Sequence, residues 1–66
     1  MTFGEKVKHA RKKLMLSQEE MAKEVGVSFT TLNRWENSKT DPVYKYLRAF
    51  HDYCKKKGIT FEGEKE

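Results

Sequence analysis

Apolar residues recur along this chain at helical spacing, segment after segment. Phe3, Val7, Ala10 and Leu14 fall at i, i+4, i+7 and i+11, one face of a helix, while Lys6, Lys8, Lys12 and Lys13 fall off it. Thr2, with Glu5 three residues later, is a reciprocal capping pair that opens a helix, so the first is predicted over roughly 3–14. Ser17 and Glu20 repeat the pair. Met21, Ala22 and Val25 follow as an inner face, and Gly26 supplies a left-handed stop, giving a short helix over about 18–25. Ser28 caps a third segment, in which Leu32 and Trp35 point inward and Asn37-Ser38 ends the run. Asp41-Pro42 reads as an N-cap followed by proline at the first position of a fourth helix. Its Val43, Leu47, Phe50 and Cys54 repeat at helical intervals, Lys55, Lys56 and Lys57 suit its negative end, and Gly58 stops it. Ile59-Thr60-Phe61 alternates apolar and polar, which fits a short strand and an extended segment with Phe61 folded back equally well.

Length narrows this picture. Sixty-six residues make one small domain, and a 36% hydrophobic share closes a thin helical core without leaving walls for a deep substrate pocket. The expected organisation is a single domain over residues 1–61 and an acidic tail over 62–66. The net charge is +4, yet residues 1–61 alone hold thirteen basic and seven acidic groups, so the basic excess belongs to the folded part. Nucleic acid is the first partner such a balance suggests, with ordinary solubility charge as the competing explanation. The single cysteine excludes an internal disulfide framework. The opening MTFGEKVKHARKK lacks the apolar stretch of a secretory leader, and no apolar run approaches the roughly 20 residues of a membrane span. The expectation is a soluble, cytoplasmic chain with no membrane partner.

The second and third segments are separated only by Gly26-Val27-Ser28. Two helices joined so tightly must cross steeply, as in a helix-turn-helix. That crossing needs a small residue where the helices touch, a residue that accepts positive φ in the turn, and apolar groups in the corner. Ala22, Gly26 and the set Met21, Val25, Val27, Leu32 and Trp35 meet those needs. On the third helix Thr30, Asn33, Arg34 and Asn37 lie opposite Leu32 and Trp35, and Phe29 lies on the flank at the helix start.

The stretch LSQEEMAKEVGVSFTTLNRWENSKTDP, residues 16–42, resembles the lambda-repressor/Cro-like helix-turn-helix family, also called the xenobiotic-response-element family. Its Ser-Gln-Glu-Glu opening, Ala-Lys-Glu-Val-Gly turn and Arg-Trp-Glu-Asn close carry the likeness, which extends through the first and fourth helices to about residue 54. The resemblance implies an all-α fold: a compact four-helix domain, its helix-turn-helix at about 18–37, with a short extended C-terminal tail. It implies duplex DNA as partner, with the recognition helix, about 28–37, in the major groove. Ser28, Phe29, Thr30 and Arg34 then match the family's base-reading positions, and Asn33 is an outward neighbour that reaches base or phosphate. A guanidinium pairs both acceptors of guanine, so Arg34 leads this set, with a phosphate contact as its alternative. The resemblance places Ser17 and Gln18 on one phosphate strand and Asn37, Lys39 and Thr40 on the other. It also pairs Glu36, close to the inward side of its helix, with Arg11.

Aromatic residues widen the apolar arc of the fourth helix. Tyr46, Tyr53, Ile59 and Phe61 are candidate contacts of a homodimer, or simply covers for a thin core. No clear fifth helix follows Gly58, a departure from the common family pattern. Catalysis has no candidates. His9 and His51 are the only histidines, and His51 with Cys54 supplies two metal ligands where a structural site needs four. No metal, cofactor or enzymatic activity is expected. The expected function is a sequence-specific, duplex-DNA-binding transcriptional regulator, dimeric on a twofold operator in the nucleoid of a bacterium or phage-infected cell. The competing expectation is a protein-interaction module, such as the antitoxin or adaptor of a partner protein.

Overall fold

The computed structural model describes residues 1–61; residues 62–66, expected to form an acidic tail, lie outside the described residues. The described residues form four helices and no strand: α1 (Phe3–Lys13), α2 (Gln18–Val25), α3 (Phe29–Asn37) and α4 (Tyr44–Lys56). Both capping pairs form. The Glu5 amide donates to the Thr2 hydroxyl while the Glu5 carboxylate accepts from the Thr2 amide, and Glu20 does the same with Ser17. Ser28 caps α3 through the Thr31 amide.

Three helices end in one way. An amide just past the helix end bonds back five residues: Leu16 to the Arg11 carbonyl, Val27 to Ala22, and Ile59 to Cys54. Such a closure needs a left-handed residue just before the donor. Gly26 and Gly58 supply it at φ 92° and 74°, and Met15 supplies the third at φ 58° despite its side chain. An ordinary L-residue there costs about 1 kcal/mol.

The start of α4 differs from the sequence expectation. Asp41-Pro42 does not open it; Val43 takes the N-cap position with no side-chain hydrogen bond, and the helix begins at Tyr44. The chain must travel from the end of α3 to the start of α4, and an extended residue covers about 3.3 Å where a helical one covers 1.5 Å. Ser38 shapes this crossing by accepting the Thr40 amide at 3.0 Å. Val43, expected on the inner face, is therefore 65% exposed.

α3 is the element the others are built around. α1 and α2 both pack on it, and the side chains of Val7, Met21 and Leu32 are fully enclosed. Full burial of each is worth about 1.5–3 kcal/mol. Phe3 joins three helices by meeting the ring of Trp35 edge-on at 5.2 Å and that of Phe50 at 5.3 Å. α4 is tied to α2 by the Tyr53 hydroxyl, which donates to Glu24 at 2.7 Å. Burial, and then that bond, push the Tyr53 hydroxyl well above its ordinary pKa, so it stays a donor. After Gly58 the chain runs extended and folds back, burying Ile59 and Phe61. Phe61 lies beside the His9 ring, with the Lys6 ammonium over its face. The two readings of this segment thus resolve to an extended tail on the helices.

Gly4 sits in the first turn of α1, where the end of α3 comes closest. A Cβ there would run into the Trp35 carbonyl oxygen and lie 3.1 Å from those of Glu36 and Ser38. Helix propensity alone makes Gly→Ala favourable by about 1 kcal/mol. The backbone clash reverses that sign, so Gly4→Ala is expected to lower stability by about 1–3 kcal/mol in denaturant unfolding.

Candidate nucleic-acid interface

A buried carboxylate organises this region. Glu36 turns inward from α3, and its side chain is 2% exposed. Arg11 of α1 answers it with two parallel hydrogen bonds, Nε to Oε2 at 2.7 Å and Nη2 to Oε1 at 3.2 Å. The third guanidinium nitrogen reaches the Leu16 carbonyl in the α1–α2 turn at 3.3 Å. Gln18, the first residue of α2, donates to Glu36 Oε1 at 3.0 Å. The same amide accepts from Asn33 at 3.2 Å, and Asn33 in turn accepts from Asn37 through both its side-chain and main-chain oxygens. The chain of bonds runs from the core to the outer side of α3. It joins α1, the α1–α2 turn, α2 and α3.

The opposite face of α3 is open. Ser28, Thr30 and Arg34 are exposed, and Phe29 keeps 47% of its surface in solvent. Asn33 is only half-buried and is held by Gln18 and Asn37, so it is less free than the helical wheel implied. Trp35 is core, buried against Phe3 and Tyr46. Of the expected backbone-contacting residues, Ser17, Asn37, Lys39 and Thr40 are exposed, while the Gln18 amide is committed at both ends to Glu36 and Asn33. Arg34 shares a groove beside Trp35 with Thr40 and Asp41.

At the start of α2 the amide of Ser17 bonds to Glu20, and the Ser17 hydroxyl accepts the Glu20 amide. The Ser17 amide first, and its hydroxyl second, hold the Glu20 carboxyl below its ordinary pKa. Of the candidate dimer contacts, Tyr53, Ile59 and Phe61 are buried in the monomer's own core, because the tail folds back and α4 leans on α2; Tyr46 is the one left at the surface. Among the described residues no group of three or more His, Cys, Asp or Glu side chains is placed to hold a metal ion, and no helix is long and apolar enough to cross a membrane. Sequence reasoning missed the Gln18–Asn33–Asn37 relay. Its signal was there: two asparagines one helical turn apart, on the helix packed against a glutamine-led one.

Two capped helices joined at a left-handed glycine, the second offering a polar outer face, define a helix-turn-helix protein. The family model described as Helix-turn-helix matches residues 7–59. Repressor protein C2 of Salmonella phage P22 is 44% identical over 47 residues, which cover 71% of this chain and 22% of that repressor. The chain thus spans less than a quarter of that relative's length. No solved structure gives a significant match. The chain belongs to the lambda-repressor/Cro-like helix-turn-helix family, a family of DNA-binding regulators rather than enzymes.

Two outcomes follow for the polar framework. Arg11→Met leaves Glu36 buried without its cation and is expected to cost about 3–5 kcal/mol, measured by denaturant unfolding. Glu20, with its lowered pKa, adds stability above its unfolded pKa that is lost as pH falls through the folded value. Glu20→Gln keeps the amide bond and loses the charge, so the gap in Tm between the two proteins should be widest near neutrality and close in acid.

Proposed function

We propose that this chain is a sequence-specific reader of duplex DNA that regulates transcription, laying α3 in the major groove and binding as a homodimer on a twofold operator, in the cytoplasm of a bacterium or phage-infected cell. The observation that carries the reading is the division of α3. Its inner face is fixed by Leu32, Trp35 and Glu36, while Ser28, Phe29, Thr30 and Arg34 stand in solvent along one rigid helix. Reading helices present their N-terminal residues to base edges. Arg34 pairs guanine, Thr30 bonds a base or touches a thymine methyl, and Phe29 packs on thymine methyls. Asn33 reaches a base edge only by giving up its bond to Gln18.

Affinity comes from the rim. Ser17 at the dipole-positive start of α2 suits one phosphate strand, which the Gln18 side chain joins by giving up its bonds to Glu36 and Asn33, and Asn37, Lys39 and Thr40 suit the other. Half-sites would lie about 34 Å apart. The chemistry is binding alone.

Selection of the protein against a random duplex library tests this. The expected product is a twofold motif. Arg34→Ala should lose discrimination at one base pair per half-site, by about 1–3 kcal/mol. Lys39→Ala should weaken every sequence alike and make the slope of log affinity against log salt shallower by about 1. A library that yields no motif, with weak salt-sensitive binding only, would sink the reading and favour a protein-binding module.

A further inference from the structure

Between α1, α4 and the returning tail lies a groove of about 280 Å³ that no residue of α3 lines. Its floor is apolar, from Phe3, Leu47 and Phe50. Its rim is basic. The Lys6 ammonium lies over the Phe61 ring at 5.5 Å, the Arg48 guanidinium lies over the Tyr44 ring at 6.0 Å, and His51 stands exposed a turn beyond Arg48. Tyr44 itself is 72% exposed. Among the described residues no carboxylate lines the groove, and Arg48 has no acidic partner.

We infer that this groove is a docking site for an acidic segment of a partner protein, which seats a Phe or Leu side chain on the floor and sets Asp or Glu carboxylates against Arg48, Lys6 and His51. Charge selects the partner. A cation stacked on an aromatic ring, with no carboxylate beside it, gains a charge-assisted hydrogen bond when an acid arrives. The ring already restrains the Arg48 guanidinium, so little freedom is lost in making that bond. Tyr and Arg are also among the residues that most often anchor protein interfaces. A DNA phosphate would pair with the rim but gain nothing from Phe3, Leu47 and Phe50 on the floor. A second copy of this chain fits worse still, since a twofold contact would set two basic rims against each other. The inference stands apart from the DNA-reading proposal, because none of the residues assigned there lines the groove.

The size of the groove sets the strength of the contact. Sites that enclose a small ligand run to roughly 300–1,000 Å³. This one is smaller and open to solvent, so it holds an anchor side chain and leaves the rest of the partner lying across the rim. A short peptide bound in this way has a dissociation constant on the order of 100 µM, and a whole partner adds area to that. The groove and the open face of α3 share no residue, so the expected behaviour is a protein that holds an acidic partner and DNA together.

The probe is a short synthetic peptide with Phe and Leu on one helical face and Glu elsewhere. Its controls carry Lys for every Glu, or Ser for Phe and Leu. Amide chemical shifts of the isotope-labelled full chain report where each binds. The acidic peptide should move the amides of Lys6, Leu47, Arg48 and His51 and leave those of Thr30 and Arg34 in place, and neither control should bind. Arg48→Glu should weaken the acidic peptide at least about tenfold, and Tyr44→Ser about fivefold. Both positions are exposed, so both variants should keep the wild-type Tm and the wild-type affinity for the duplex selected above. Shifts confined to α3, equal binding of the Lys peptide, or unchanged binding by both variants would each overturn the inference. Displacement of the peptide by duplex DNA would overturn it too, by making the groove a nucleic-acid contact. So would the absence of any shift at about 1 mM acidic peptide. The chain's own Glu62, Glu64 and Glu66 follow Phe61 in sequence. Should the peptide bind only after all three are changed to Gln, the occupant is that tail and the partner inference fails. A wild type that selects no DNA sequence but binds the acidic peptide as described would sink the DNA proposal alone.

Discussion

The structure depends on one carboxylate that is almost wholly shielded from water. Glu36 faces inward from the helix whose outer face stays open, and it is held by the fork of Arg11 and the amide of Gln18. A buried ion pair is seldom a net source of stability over an apolar substitute, because both ions lose their hydration. What it supplies is direction. A fork-to-fork bond tolerates little rotation, whereas Leu32 and Trp35 alone would let α3 roll by a few degrees against α1 and α2. The same guanidinium bonds the Leu16 carbonyl, so the approach to α2 is set by the group that sets α3. From there Gln18 passes the constraint outward to Asn33 and Asn37, at the boundary between core and open surface.

Much of this could be read from the chain. Reciprocal Thr2/Glu5 and Ser17/Glu20 pairs declare two helix starts because the signal is local: a hydroxyl and a carboxyl three residues apart satisfy each other's backbone. Gly26 and Gly58 declare stops for an equally local reason. The Met15 turn was hidden, since a methionine held left-handed by its neighbours carries no sequence mark. The start of α4 was misread because Asp-Pro is a good local opening, and the longer demand of spanning from α3 overrode it. Gly4 shows the same limit: its role depends on three carbonyls from a helix some thirty residues away.

The candidate site divides along similar lines. Exposure of Ser28, Thr30 and Arg34 follows from the helical period once Leu32 and Trp35 are placed inside. The engagement of Gln18 and Asn33 does not follow, since amides that look free on a helical wheel find each other only when α2 and α3 cross. Aromatic residues on α4 were the most ambiguous. Tyr53 and Tyr46 both flank the apolar stripe, yet one hydroxyl has an acid within reach on α2 and its ring is buried, while the other ring stays at the surface.

Trp35 is the single tryptophan of the chain, and its place gives the molecule a built-in optical reporter. The indole sits on α3, edge-on to Phe3 of α1 and 5.8 Å from the ring of Tyr46 on α4, enclosed on the inner side of the helix that carries the open face. Because the indole is buried against Phe3, its emission is expected to shift when the first and third helices separate. Excitation energy absorbed by Tyr46 passes to it efficiently only while α4 is seated. One fluorophore, without any label, thus distinguishes loosening of α1 from departure of α4.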